Sequence, residues 1–301
     1  YTFHQRQQFP NVTIAVSGHR FNVGRIHSRY NPSDSFSPQL PRNVIRPELK
    51  FDFLPQNRRS NRTQSIRLRN TMYISEAGHV VRNIPQLTYH YKQAFAPHIG
   101  ELTADLQWLN NEAKLSFEAI YRFKFKKGYG IRARMFFGKF ITKASTRSFN
   151  FRMSSFREAD DYLYDGTYLG RKPTNGFLDQ QMMEADGGFR SNFIVGQSAD
   201  WLWALNLTST VYRKIPIEFF ASVGTYAGAK DAFPGSQLFL AEFGASVILL
   251  RDVLEVHFPF LYSKDIRENI KLRTSNYGQQ IRFVFNLNEL KPKERLQQLL
   301  D

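Results

Sequence analysis

The chain contains no cysteine, which excludes both a disulfide framework and a thiolate metal centre. It also lacks any apolar run near the roughly 18–20 residues that a membrane-spanning helix needs. Mean hydropathy is −0.44, and together these features exclude a helical membrane protein. They do not exclude a membrane barrel, whose strands alternate apolar and polar positions and average to a polar composition. The histidines are few and scattered: His4, His19, His27, His79, His90, His98 and His257. None stands in an HExxH or HxH spacing, so neither a metal nor a cofactor is expected. No basic start, apolar stretch and small-residue cleavage site opens the chain. Starting at Tyr1, it is expected to be a piece of a longer polypeptide.

What the sequence has in quantity is alternation. Phe239, Ala241, Phe243, Ala245, Val247 and Leu249 share one parity, with Leu240, Glu242, Gly244, Ser246 and Ile248 on the other. Successive side chains of a strand point to opposite faces, so this run has one apolar face and one wetter face. The same rule predicts about twelve strands along the chain. They lie near Asn11–Ser17, Ile45–Phe53, Ser65–Ser75, Leu87–Lys92, Leu102–Leu109, Leu115–Phe125, Ile131–Ile141, Trp201–Tyr212, Ile215–Thr225, Phe239–Leu249, Val253–Leu261 and Gln280–Leu287. Long connections near 18–44, 143–198, 226–237 and 262–279 tend to alternate with short ones at Lys126–Gly130, Arg213–Lys214 and Arg251–Asp252. The link Asn110–Lys114 is short where the rhythm asks for a long one.

No segment of helical period outside the C-terminal tail offers a second layer for the apolar parity. A two-sheet sandwich would bury it, and lipid would cover it. The loop rhythm matches outer-membrane barrels, which have long extracellular loops and short periplasmic turns. The expected fold is therefore all-β: a transmembrane antiparallel up-and-down β-barrel of about twelve strands, both termini periplasmic. The barrel is expected over residues 1–289, with a large extracellular loop at about 143–198 and a charged tail at 290–301.

The parities then divide two solvents. Arg67, Arg69, Glu118, Arg122, Lys124, Arg132, Arg134, Glu242 and Arg282 are expected to line the lumen. Phe117, Tyr121, Phe123, Phe239, Phe243, Phe283 and Phe285 are expected to face lipid. The net charge of +15 raises nucleic acid as a partner. The basic residues alternate with apolar ones inside strands rather than gathering on one surface, so no nucleic-acid partner is expected. Carboxylates of the lumen and lipopolysaccharide phosphates at the rim are the expected counter-charges.

Catalytic constellations are thin. Ser17 and His19 stand two apart near the end of the first strand, a faint suggestion of an outer-membrane hydrolase without an identified third member. Glu158, Asp160, Asp161, Asp165, Asp179, Glu184 and Asp186 gather in the longest loop, where oxygen ligands suit calcium. Their spacing does not match an EF-hand, and a solvated loop explains them as well. No catalytic residue is assigned.

Two stretches carry a family resemblance. They are Asp161-Tyr162-Leu163-Tyr164-Asp165-Gly166-Thr167-Tyr168-Leu169-Gly170-Arg171 with Glu184-Ala185-Asp186-Gly187-Gly188-Phe189, and Tyr277-Gly278-Gln279-Gln280-Ile281-Arg282-Phe283 with Asn286-Leu287-Asn288. The chain resembles the C-terminal region of large Bacteroidota envelope proteins whose N-terminal part is similar to a gluzincin zinc aminopeptidase. The resemblance implies an outer-membrane barrel and, since no HExxH is present, carries no catalytic residue across. The expected role is a non-catalytic anchor or scaffold in the bacterial outer membrane, with lipid, lipopolysaccharide and other envelope proteins as partners. An anion-preferring pore lined by the arginines is the first alternative, and a hydrolase the second.

Overall fold

The structure is a computed structural model. It describes residues 10–20, 43–53, 61–74, 79–126, 129–142, 149–155, 162–163, 180–210, 216–232, 235–250, 253–274 and 276–286. The tail at 290–301 lies outside them, as do Glu158, Asp160, Asp161, Asp165 and Asp179.

Twelve strands form one antiparallel sheet in chain order. They are β1 (Asn11–Arg20), β2 (Asn43–Phe53), β3 (Arg62–Ile74), β4 (Val80–Phe95), β5 (His98–Leu109), β6 (Glu112–Lys126), β7 (Tyr129–Phe140), β10 (Trp201–Thr210), β11 (Ile217–Tyr226), β12 (Leu240–Leu250), β13 (Leu254–Tyr262) and β14 (Arg282–Phe285). Two short strands, β8 (Phe151–Arg152) and β9 (Gln197–Ser198), pair with each other in the long insertion between β7 and β10. Every strand foreseen from alternation is present. Because each neighbour is antiparallel, the four longest connections leave from the same end of the sheet; the β4–β5, β6–β7 and β12–β13 turns leave from the other, while the two-residue β5–β6 turn shares the end of the long connections.

Local chemistry explains the departures. The β5–β6 turn shrinks to Asn110 and Asn111, with Asn110 at φ 53. Asparagine tolerates the left-handed region that such hairpins need, and Lys114 is thereby drawn into β6. In β13, Pro259 sits beside a register shift, with Phe243 opposite Leu261 and Gly244 opposite Pro259. Proline has no N–H to give the ladder, so it is tolerated at a bulge. The connection after β13 holds a helix, α1 (Lys264–Arg273), not expected from the sequence. Ile266 and Ile270, four apart, bury one face, while Asp265 opens the first turn and Lys271 and Arg273 close the last.

The two faces of the sheet differ sharply. On β7, Arg134, Phe136, Gly138 and Phe140 are buried, whereas Ile131, Met135, Phe137 and Lys139 are exposed. The buried face is covered by the insertion, which packs Phe149, Phe151, Met153, Phe189 and Phe193 against Phe136, Phe140, Leu202 and Leu240. The large loop expected at about 143–198 forms, in its described parts, the second layer of the core. The other face has no covering layer among the described residues. No helix among them is long and apolar enough to cross a membrane.

The sheet is not closed: β1 and β14 form its two edges. Segment Gln180–Met182 of the insertion lies along β14, with Gln181 in a parallel bridge to Phe283 and Met182 N–H donating to the Phe283 carbonyl at 2.8 Å.

Candidate functional site on the covered face

The covered face carries a cross-strand row. Arg134 pairs in register with Asn206, Asn206 with Ser222, and Ser222 with Glu242. The row exists because each residue occupies the polar parity of its own strand and the register places those positions side by side. Residues Asp186–Ser191 of the insertion cross it. Arg134 Nη1 donates to the Asp186 carbonyl at 2.8 Å and to Asn206 Oδ1 at 3.0 Å, and Asn206 Nδ2 donates to the Gly187 carbonyl at 3.0 Å. At the far end Glu242 accepts from Arg190 N–H at 2.6 Å, Ser191 N–H at 3.1 Å and Ser191 Oγ at 2.6 Å. Side chains of three strands thus satisfy backbone groups of an irregular segment whose only backbone bridge among the described residues is between Phe189 and Ser154.

Closeness demands glycine at this crossing. At Gly188, φ is +73° and an added Cβ would lie 2.4 Å from Asn206 Oδ1. Only a residue without Cβ adopts that conformation cheaply and lets the segment reach the sheet.

Charge reinforces the docking. Glu184 meets Arg132 in a forked pair, with oxygen–nitrogen distances of 3.0 and 2.5 Å, and lies 3.8 Å from Arg134 Nε. Burial pushes the Glu184 carboxyl up, but the guanidinium groups of Arg132 and Arg134 overcome that and hold it well below the usual carboxylate range. Arg134, 1% exposed, also donates to Glu118. Burial draws the Arg190 guanidinium down; it stacks over Phe220 at 4.1 Å and donates to Thr208 at 3.3 Å.

A second anchor lies at β6. Lys114, 2% exposed, donates to the Phe149 carbonyl at 2.7 Å among the rings of Phe140, Phe149, Phe151 and Tyr162, whose centroids lie 4.3–5.8 Å away. Tyr162 OH donates to Gln107 at 2.8 Å, and Tyr73 OH donates to the Tyr162 carbonyl. Beyond it, Arg69 donates to Gln86 at 2.9 and 2.5 Å, and Gln86 and Thr88 donate to Asp105, each at 2.7 Å. Arg122 reaches Glu101 at 2.8 Å, as does Lys92 at 3.0 Å.

All nine residues expected in the lumen share this face by register. Arg69, Arg134, Glu242 and Arg282 are buried, Arg67, Glu118, Arg122 and Arg132 are half-buried, and Lys124 is exposed at its strand end. Arg69, Arg122, Arg132 and Arg134 already hold acceptors, so they do not form the free cationic lining that an anion pore requires. Phe117, Tyr121 and Phe239 are exposed on the opposite face, and Phe123, Phe243 and Phe285 half-exposed there. Phe283 departs from expectation: it has the outward parity, opposite Val256, yet is 3% exposed. Gln180–Met182 runs alongside it, where alternation alone foresees only solvent or lipid.

Lys114, Arg190 and Ser191 were not legible as functional in the sequence. The insertion has no period, and a lone lysine on a strand carries no signal. Glu184 and Asp186, weighed as calcium ligands, instead bind protein: Glu184 as above, and Asp186 Oδ2 by accepting from Arg152 N–H at 3.1 Å. Ser17 Oγ accepts from Arg46 Nε at 3.2 Å, and the side chain of His19 lies outside those described. A serine–histidine contact does occur, between Ser246 Oγ and His257 Nδ1 at 2.7 Å. Both are buried, with Phe220 edge-on to the imidazole.

No family model matches the chain, and no curated protein does. Among solved structures it is similar to CdiB from Acinetobacter baumannii, with a TM-score of 0.36 and 10% identity. That match covers 75% of this chain and 40% of CdiB, so the chain spans less than half of that protein's length. The likeness is too distant to assign a fold or an activity, and the functional reading rests on the residues.

Proposed function

We propose that the chain is a non-catalytic outer-membrane β-barrel with a built-in plug, serving as the membrane anchor or scaffold of an envelope protein whose other part resembles a zinc aminopeptidase. Both termini and the β4–β5, β6–β7 and β12–β13 turns then face the periplasm, and the insertion enters the lumen from the extracellular end.

The observation that carries this reading is the uncovered apolar face. Leu68, Leu102, Trp108, Phe117, Tyr121, Met135, Phe137, Leu207, Phe219, Phe239 and Leu261 are each at least 36% exposed and run across β3 to β13. An apolar surface of that extent marks a partner or a membrane. Aromatic residues of this face stand toward both ends of the strands. Phe95, His98, Tyr121 and Phe125 lie toward the short-turn end; Trp108, Phe137, Trp203 and Phe239 lie toward the long-connection end. From His98 to Trp108 the strand climbs about 33 Å at about 3.3 Å per residue. A barrel tilt of about 40° makes that about 25 Å, the apolar height of an outer-membrane barrel between its aromatic girdles.

The test is the behaviour of the full chain carrying an outer-membrane signal. A barrel fractionates with the outer membrane, needs detergent for extraction, and migrates faster on a gel unboiled than boiled. A chain that stays folded and monomeric in detergent-free buffer would sink this reading. Conductance in a planar bilayer checks the plug: no steady current is expected.

A further inference from the structure

We infer that the outer edge of β14 is a strand-docking site with two competing occupants, and that Gln180–Met182 of the insertion holds it until β1 of the same chain displaces it. The inference deepens the barrel reading and rests on it.

A short stretch of the insertion occupies this edge in the structure, with Gln180 Nε2 also donating to the Gly278 carbonyl at 2.7 Å. Met182 N–H donates to the Phe283 carbonyl at 2.8 Å, and Gln181 contributes its side chain, Nε2 to the Phe285 carbonyl at 3.3 Å. The bridge between Gln181 and Phe283 is parallel and isolated. At the far side of the same sheet stands β1, ten residues long and paired through all of them with β2 alone among the described residues. Its apolar parity is bare: Val12 is 54%, Ile14 79% and Val16 71% exposed.

A bilayer does not tolerate such an edge, because hydrocarbon offers no partner to backbone N–H and C=O groups. The geometry selects β14 as the partner. In a twelve-stranded up-and-down order the first and last strands run antiparallel, so β1 can give β14 a ladder along its whole length. The faces agree as well. Val12, Ile14 and Val16 lie, through Phe51, Leu49 and Pro47, on the side that Phe283 and Phe285 share. The remainder of the insertion can stay in place during the exchange, since Glu184, Arg190 and Ser191 are held by Arg132 and Glu242, away from the edge.

The absence of cysteine makes the test direct. Gln181→Cys with Phe283→Cys reports the structure's pairing; Val12→Cys, Ile14→Cys or Val16→Cys, each with Phe283→Cys, reports the exchanged one. A disulfide forms only when the two Cα atoms approach within about 7 Å. The full chain is oxidised in outer-membrane vesicles, and the products are read by gel and peptide mass. A second series with Phe285→Cys, half-exposed, covers misfolding caused by replacing buried Phe283.

The expected result is an intramolecular disulfide between a β1 cysteine and the β14 cysteine, in several-fold excess over the Gln181 product. A dominant Gln181 product in heat-modifiable, membrane-inserted protein overturns the exchange and leaves the barrel standing. A β1 disulfide that joins two copies also overturns it. Protein that needs no detergent and gives no β1 product overturns both.

Discussion

The ammonium of Lys114 and the carbonyl oxygen of Phe149 meet at 2.7 Å within a ring of four aromatic side chains. This bond ties the start of the insertion to the sheet. A buried cation is costly without partners; here a carbonyl and the faces of Phe149, Phe151 and Tyr162 replace water.

Lys114→Met retains the stem and removes the charge, leaving the Phe149 carbonyl without this donor. Loss of a hydrogen bond to a charged group costs about 1.5–3 kcal/mol. The urea midpoint is expected to fall accordingly, and a protease to cut the insertion sooner. An unchanged midpoint would mean that the lysine contributes no net stability.

Glu242→Leu strands the N–H groups of Arg190 and Ser191, which the carboxylate accepts at 2.6 and 3.1 Å. Each buried unsatisfied group costs about 1–3 kcal/mol. Hydrogen exchange resolved to these amides is the sharper measurement: both exchange slowly in the native protein and several-fold faster in the variant. Equal protection in the two proteins would show that the insertion is held elsewhere.

Acid is expected to loosen the insertion through Glu184. Its folded pKa lies below the unfolded value, because Arg132 and Arg134 outweigh burial. A depressed carboxylate pKa contributes stability that is complete above the unfolded value, about 4.3, and is lost as pH falls toward the folded one. Protease susceptibility of the insertion should therefore rise as pH drops below about 4.3. Glu184→Gln should be susceptible already at neutral pH and show a flatter acid response. Matching profiles for the two proteins would exclude Glu184 as the acid-sensitive contact.

Two glycines separate conformation from space. Gly188→Ala forces a Cβ to 2.4 Å from Asn206 Oδ1 at φ +73°, whereas a Cβ at Gly100 meets nothing within 4 Å. Thermal unfolding should show Gly188→Ala lowered by about 1–3 kcal/mol and Gly100→Ala within about 0.5 kcal/mol of the parent. Equal midpoints for the two variants would contradict the close crossing.

Met135→Arg tests the solvent on the uncovered face. Met135 is 45% exposed and sits mid-strand on β7. In a bilayer an arginine there costs about 2–4 kcal/mol; on a water-facing sheet it costs less than about 0.5 kcal/mol. Urea unfolding from lipid vesicles distinguishes the two.

Alternation made the strands legible because a half-buried strand has only two faces. Phe117 and Glu118 must point apart wherever the strand lies, so parity is a property of the chain itself. Both apolar and charged parities follow from that rule, and the end from which the long connections leave follows from the antiparallel order. Helix α1 was not legible: Ile266 and Ile270 stand four apart after Ser263 at the N-cap position, but a single helical turn of apolar spacing is a weak signal.

The sequence by itself determined how many strands the main sheet has, which side chains share a face, and that the two faces meet different surroundings. Only the tertiary structure decided what covers the polar face. Glu184, Arg190 and Ser191 find Arg132 and Glu242 across dozens of residues through an irregular segment with no period to betray its path. It also decided the edges, where Gln180–Met182 and not β1 lies beside β14. Parity fixes faces because it depends on successive residues, whereas edges depend on which distant segment supplies hydrogen bonds.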